Sequence, residues 1–230
     1  MVRNYSIITP RSFCIFCKQP LAWYDMIPVI SWIILHGRCR YCKRQISWLY
    51  PFIELFTTIV MLALFTLVPT QYIPAYFIFF SALIITIRTD IETLLISRFV
   101  SLFLIPLGIA FSFFQLLPIS VLQSIASTFI GYFFLYLFSK LFQWFTEKEG
   151  MGSGDFELLA FIGSFTGITG CWISLVVGSI LGSLFGLLQL LLGKVNRTTK
   201  IPFGPFLAIS AIIFVLFQKT ILKLLLATQI

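Results

Sequence analysis

Two aspartates stand out in a 230-residue chain that holds only eight acidic residues. Asp90 follows an apolar run that begins near Ile73, and Asp155 closes the string Gly150-Met151-Gly152-Ser153-Gly154-Asp155. Each is expected at the end of an apolar segment, so both can lie at one depth on one side of a membrane. An ionisable residue held at such a boundary is costly and usually has a purpose. Two carboxyls brought close together cannot both ionise easily, and they share a proton. In that state one carboxylate activates water while the other, as an acid, polarises a carbonyl; this is the chemistry of aspartic peptide hydrolysis. Gly152 and Gly154, on either side of Ser153, would let a substrate backbone approach Asp155. Plainer readings exist for both: Asp155 as a cap on a helix starting at Phe156, and Asp90 as a solvated loop residue paired with Arg88. Spacing alone does not choose between them.

The second cluster is sulfur. Cys14-x2-Cys17 and Cys39-x2-Cys42 are two CxxC pairs separated by residues 18–38. Each pair can present two thiolates from one tight turn, and two pairs complete a tetrahedron around zinc. Such a site is closed, with no open position for chemistry, so its role would be structural. A disulfide pair is the first alternative, which a reducing cytoplasmic location disfavours. A redox motif is the second, but no thioredoxin-like βαβ pattern surrounds either CxxC. Merely buried cysteines would leave the paired spacing unexplained. His36 is near enough in sequence to compete as a ligand, and Cys171, alone at a helix start, reads as a packing residue.

The elements that must position these groups are membrane helices. The chain is 59% hydrophobic and 10% charged, against about 25% charged in soluble proteins. Its apolar blocks approach the ~20 residues that cross a hydrocarbon core, and they show no period-2 alternation, so helices rather than a barrel satisfy the backbone. The expected fold is an all-α polytopic membrane protein with about seven membrane segments, near 50–68, 72–88, 99–117, 120–145, 156–168, 171–192 and 202–222. Residues 1–49 form a basic, cysteine-rich unit, expected to be a small cytoplasmic zinc-binding domain; residues 50–230 form the helical transmembrane domain. Met1 to Ser12 has no apolar signal-peptide core, so a later helix is expected to be the first insertion signal.

Charged connections at 88–98, 146–157 and 193–200 alternate with uncharged ones near 69–71, 116–119 and 168–170. Strict in-out counting puts every charged connection on the cytoplasmic side with the basic N-terminal unit. The count closes only if 156–168 and 171–192 cross separately, and Lys219 and Lys223 then fall awkwardly at the outer end. The net charge of +8 is explained by these loops, and no nucleic-acid partner is expected. Segment 156–168 would extend only about 20 Å as a helix, so other helices or a wet cavity must enclose it. Gly163, Gly167, Gly178, Gly182 and Gly186 are spaced for close helix packing.

The chain resembles the type IV prepilin peptidases, a GxGD intramembrane aspartic peptidase family, over nearly its whole length. The segments that carry the resemblance run in the family's order. Pro10-Arg11-Ser12-Phe13-Cys14-Ile15-Phe16-Cys17 with Trp23-Tyr24-Asp25-Met26-Ile27-Pro28 is similar to the opening of the family's cytoplasmic loop. Gly37-Arg38-Cys39-Arg40-Tyr41-Cys42 and Tyr50-Pro51-Phe52-Ile53-Glu54-Leu55 are similar to its close. Asp90-Ile91-Glu92-Thr93 falls at the first catalytic aspartate, Gly152-Ser153-Gly154-Asp155 at the GxGD motif, and Ile201-Pro202-Phe203-Gly204-Pro205-Phe206 at a late proline-glycine signature.

The resemblance implies an aspartic endopeptidase with Asp90 and Asp155 catalytic, resident in the inner (cytoplasmic) membrane. It implies cleavage of the basic leader from prepilins or pseudopilins at the cytoplasmic face, after a glycine that precedes an apolar helix. Many members also methylate the new N-terminus with S-adenosylmethionine; chemistry assigns no residues of this chain to that step. The family pattern includes a further N-terminal helix with a Gly-Ser-Phe-Leu-Asn-like motif, and seven crossings equal eight less that one. Two local departures stand beside the aspartates: Ile96-Ser97-Arg98 replaces a proline-containing turn, and Glu157 stands where lysine is common. Three other readings compete. One is a non-catalytic membrane adaptor with a zinc-stabilised partner-binding loop; another is a GxGD protease of different substrate class. The third, a transporter, is disfavoured because both aspartates sit at span ends and not at the midplane.

Overall fold

A computed structural model describes residues 12–96, 98–147, 151–193 and 202–227. Pro10, Arg11, Ser97, Gly150 and Ile201 of the motifs above, and most of the 193–200 connection, lie outside the described residues. The chain forms two compact units, Met1–Ile59 and Val60–Ile230. The compositional break at 49/50 falls ten residues earlier, because the first turns of the helix that follows it belong with the N-terminal unit.

The N-terminal unit repeats one small motif. Cys14 N–H donates to Gln19 O, Lys18 N–H to Cys14 O and Leu21 N–H to Ser12 O; the same three bonds recur from Cys39 to Arg44 O, Lys43 to Cys39 O and Ile46 to Gly37 O. Lys18 and Lys43 both adopt positive φ, 61° and 57°, which turns each loop tightly enough to aim both of its thiols inward. Between the repeats lie a 3₁₀ turn, Trp23–Met26, and helix α1, Ile30–Ile34. The bidentate pair of Arg40 with Asp25 (2.6 Å) links the 3₁₀ turn to the second knuckle.

Helix α2, Leu49–Leu67, leads out of this unit. Then come α3 (Ile73–Thr93), α4 (Arg98–Phe113), α5 (Val121–Thr146), α6 (Ser153–Leu191), α7 (Gly204–Leu216) and α8 (Gln218–Ala227). Their ends are written in the sequence. Pro74 opens α3, which stops at Leu94 in the left-handed conformation. A capping box of Ser120 and Gln123 opens α5, and Pro205 stands in the first turn of α7.

Among the described residues, four helices are long and apolar enough to cross a membrane by length and composition, and five if the bent pair α7–α8 forms one span. The chain is therefore a multi-pass α-helical membrane protein; the expected count of seven is not confirmed. Among the described residues, the apolar stretch of α4 is Leu102–Phe113. The segments read as 156–168 and 171–192 lie in one 39-residue run, α6, made of two helices that meet at a kink. That run would be about 58 Å long if straight, and it is broken at Gly167, whose φ of 71° and ψ of −175° are open to glycine and strained for other residues. The segment read as 202–222 turns through 84° between α7 and α8, leaving Lys219 and Lys223 beyond the bend.

The enclosure expected for the short segment is present. Every residue from Asp155 to Gly167 is buried, packed against α4, α5 and α7. Lipid offers no hydrophobic drive between helices, so close packing and hydrogen bonds must hold them. Ser124 and Ser127 of α5 donate to the carbonyls of Ser164 and Gly163, both at 2.7 Å. Phe79 of α3 stacks on Phe165 at 4.8 Å and tilts onto Phe161 at 5.2 Å. Three helical turns along the same face of α3 from Phe79 lies Asp90, so the aromatic cluster fixes the rotation that aims Asp90 inward.

Candidate active site

Asp90 is not a solvated loop residue. Helix α3 continues to Thr93 and carries Asp90 in its last turn at 4% exposure. Its Oδ2 accepts the backbone N–H of Gly204 at 3.1 Å, and Arg88, the partner considered for it, pairs with Glu92 at 2.7 Å. Gly204 is required here by close approach: a Cβ at that position would stand 2.7 Å from Asp90 Oδ2. A hydrogen bond to a charged group contributes about 1.5–3 kcal/mol, so this contact ties the start of α7 to the end of α3.

Asp155 occupies the third position of α6, whose N-cap is Gly152. It is 9% exposed, and Gly152 lies against its Oδ2. The position is compatible with a capping role as well as a catalytic one. Ile96 links their surroundings: a Cβ at Gly154, next to Asp155, would come within 2.9 Å of Ile96 Cβ, and one at Gly204, the residue bonded to Asp90, within 3.1 Å of its Cδ1. Residues 90, 96, 154, 155 and 204, from three separate stretches of chain, thus converge on one place.

Sequence reasoning named Gly204 only within a motif and missed the clamp beside it. Arg98 donates from Nη2 to Ser153 Oγ at 3.0 Å, and its Nε lies 3.4 Å from Glu157 Oε1. The available signal was the coincidence of two departures, an arginine after the α3–α4 turn and a glutamate where lysine is common; together they form an ion pair.

In the N-terminal unit the ligand atoms of Cys14, Cys17, Cys39 and Cys42 all lie within 4.8 Å of one another, a group that could hold a metal ion. Cys14 Sγ and Cys42 Sγ are 3.9 Å apart, far from a disulfide bond of about 2.05 Å. The backbone N–H of Cys17 lowers the Cys14 thiol to about 6, against the opposing effect of burial, while the Cys17 thiol is raised to about 11. His36 is outside the group; its Nδ1 lies 3.2 Å from Ile34 O. Cys171 is buried against Gly131 of α5, as a packing residue would be.

A multi-pass helical membrane protein with two buried carboxyls at converging helix ends, preceded by a four-thiol unit, is the class these observations define. Two family models match the chain: the bacterial peptidase A24 N-terminal domain over residues 1–68 and the type IV leader peptidase family over residues 77–187. Relatives named "Prepilin leader peptidase/N-methyltransferase" include one from Aeromonas salmonicida (strain A449), 33% identical over 98% of this chain and 77% of the relative. Another, from Neisseria gonorrhoeae, is 34% identical over 90% of this chain and 71% of its own length. A third, from Bacillus subtilis (strain 168), is 30% identical over 96% and 87%. No solved structure matches. The chain belongs to the type IV leader peptidase family.

Proposed function

We propose that this protein is a membrane-embedded aspartic endopeptidase that removes the leader peptide from type IV prepilins or pseudopilins at the cytoplasmic membrane face. Asp90 and Asp155 are the catalytic pair, sharing one proton: the carboxylate takes a proton from water as it attacks, and the carboxylic acid donates a hydrogen bond to the scissile carbonyl. The observation that carries the reading is the convergence of these two buried acids, 65 residues apart in sequence, around Ile96 and Gly204. Family membership and the relatives' names support the substrate. A prepilin-like substrate, with an apolar helix in lipid and a basic leader outside it, presents its scissile bond at the depth of span ends. The Gly152-Ser153-Gly154 segment is where its backbone would approach. The adaptor reading offers no use for two buried carboxyls at neighbouring helix ends.

Two crossings, by α2 and α3, return Asp90 to the side from which α2 starts. The positive-inside bias makes that side cytoplasmic, in the inner membrane, with residues 1–49 as the cytoplasmic domain and 50–230 as the catalytic membrane domain. The four thiols bind structural zinc: a tetrahedron with Zn–S of about 2.3 Å has S–S edges of about 3.8 Å, close to the Cys14–Cys42 separation. Zinc there closes the two knuckles onto each other and takes no step in hydrolysis.

The relatives' names pair cleavage with N-methylation. S-adenosylmethionine is cationic at its sulfonium and amino group, and a cavity of about 470 Å³ in the N-terminal unit is lined by Leu35, His36, Arg38, Cys39 and Lys43. That lining does not suit it, and no methyl-transfer step is derived from these residues. Production of this protein with a prepilin in a host lacking its own leader peptidase tests the proposal. The expected product is a mature pilin cut after the leader glycine, whose N-terminal mass reads any methyl group directly; uncut prepilin overturns the reading.

A further inference from the structure

The N-terminal unit carries an apolar surface that neither the thiol cluster nor peptide hydrolysis uses. Ile30, Ile33 and Ile34 of α1 are 54%, 61% and 65% exposed; at i, i+3 and i+4 they form one helical face. Trp23, Met26 and Ile27 just before it are exposed as well. Leaving such side chains in water is unfavourable, and a patch of them marks an interaction surface.

What covers the patch follows from where α1 is held. Val29, at the N-cap of α1, donates its backbone N–H to Glu54 Oε2 at 2.8 Å. Glu54 lies in the second turn of α2, about 8 Å along the axis from Leu49. The 19 residues of α2 extend about 28 Å, close to the thickness of a hydrocarbon core. Bonded within about the first 8 Å of α2, the start of α1 is held near the end at which α2 enters the bilayer, close to the boundary between acyl chains and headgroups. The second knuckle is held close by: Ile46 N–H bonds Gly37 O at 2.7 Å, three residues before α2 begins, and the exposed Trp48 stands at the junction. Charge completes the match. Lys18, Arg38, Lys43 and Arg44 are exposed, while Asp25 is engaged by Arg40 and Glu54 by Val29.

We propose that α1 and the turn before it lie in the headgroup layer of the leaflet that α2 enters. The isoleucines and Trp23 face the acyl chains, and the basic residues face anionic headgroups. This is the arrangement of an interfacial amphipathic segment. The thiol-bearing unit is then a membrane-surface element, held against the bilayer by its own helix rather than projecting from it.

The test uses the full chain in nanodiscs containing anionic phospholipid. The photo-crosslinking residue benzoylphenylalanine is placed at Ile33, at Ile30, at Leu62 on the exposed face of α2, and at the exposed Gln45. Irradiation followed by mass spectrometry is expected to give phospholipid adducts at 33 and 30 in yields comparable with 62 and several-fold above 45. Adducts to protein at 33 and 30, whether to a second copy or to the same chain, overturn the proposal. So does the absence of lipid adducts there when position 62 gives them. Absence at 62 as well removes α2 from the bilayer, and the proposal falls with it. The readout does not pass through peptide cleavage, so it stands or falls separately from the catalytic reading.

Discussion

Arg98 and Glu157 form an ion pair at 3.4 Å that joins the start of α4 to the second turn of α6, with Ser153 bonded by the same guanidinium. Arg98 is 68% exposed at its side chain and Glu157 9%, so the pair is half-wet and its direct contribution to stability is small. Its consequence is positional, because Ser153 and Glu157 bracket Asp155. Removing the clamp lets the helix start drift relative to Ile96 and Asp90. Arg98→Ala is expected to lower kcat about tenfold with KM little changed, since small misplacements of reacting groups are expensive. Glu157→Gln should cost a similar amount, and the double variant should be no worse than the weaker single, as expected for residues acting as one unit. Steady-state kinetics on a prepilin substrate measures this; additive losses would separate the two residues.

Gly204→Ala tests the contact that holds Asp90. The new methyl would need space 2.7 Å from Asp90 Oδ2 and 3.1 Å from Ile96 Cδ1, so the carboxyl must rotate or α7 must move. We expect cleavage to fall roughly a hundredfold, in line with an ångström-scale displacement at a reacting group. Membrane accumulation should remain near the wild-type level. Comparing the amount of protein with the rate of cleavage in the same preparation distinguishes the two.

Helix packing around the buried half of α6 gives a prediction independent of catalysis. A Cβ at Gly163 would lie 2.6 Å from the Ser127 carbonyl oxygen of α5, and backbone cannot yield as a side-chain tip does. Overpacking of this kind costs about 1–3 kcal/mol. Gly163→Ala should therefore lower the thermal unfolding midpoint in detergent, whereas a substitution at Gly193, with open space around its Cβ direction, should be limited to the strain of its φ of 65°.

Removal of the metal should loosen the N-terminal unit alone. Elemental analysis is expected to find one zinc per chain, lost in Cys39→Ser and on treatment with a strong chelator. The two knuckles should then become accessible to protease. A chain that is free of zinc and equally resistant would contradict the assignment.

Much of this was legible in the residues. CxxC pairs need only short-range turns to aim their thiols, so the knuckles could be read without long-range information, and the GxGD string marked the start of α6. The span count was less legible because hydropathy reports apolar length, not continuity. Gly167 breaks a helix without breaking the apolar run, and the bend at Phe217 sits inside another. The clamp of Arg98 on Glu157 left two departures in the sequence, but their pairing was not legible because it joins residues 59 positions apart across a fold that local pattern does not determine. The same holds for the Gly204 N–H on Asp90. Its glycine was visible, but not what it approached.

The central claim is that Asp90 and Asp155 act as one hydrolytic pair. It is tested most directly by purifying wild type, Asp90→Asn and Asp155→Asn in lipid and following leader release from a prepilin over time. Rapid release by wild type, with release at the uncatalysed background by both well-folded variants, is the predicted result. Release by either variant at a rate near that of wild type would contradict the claim.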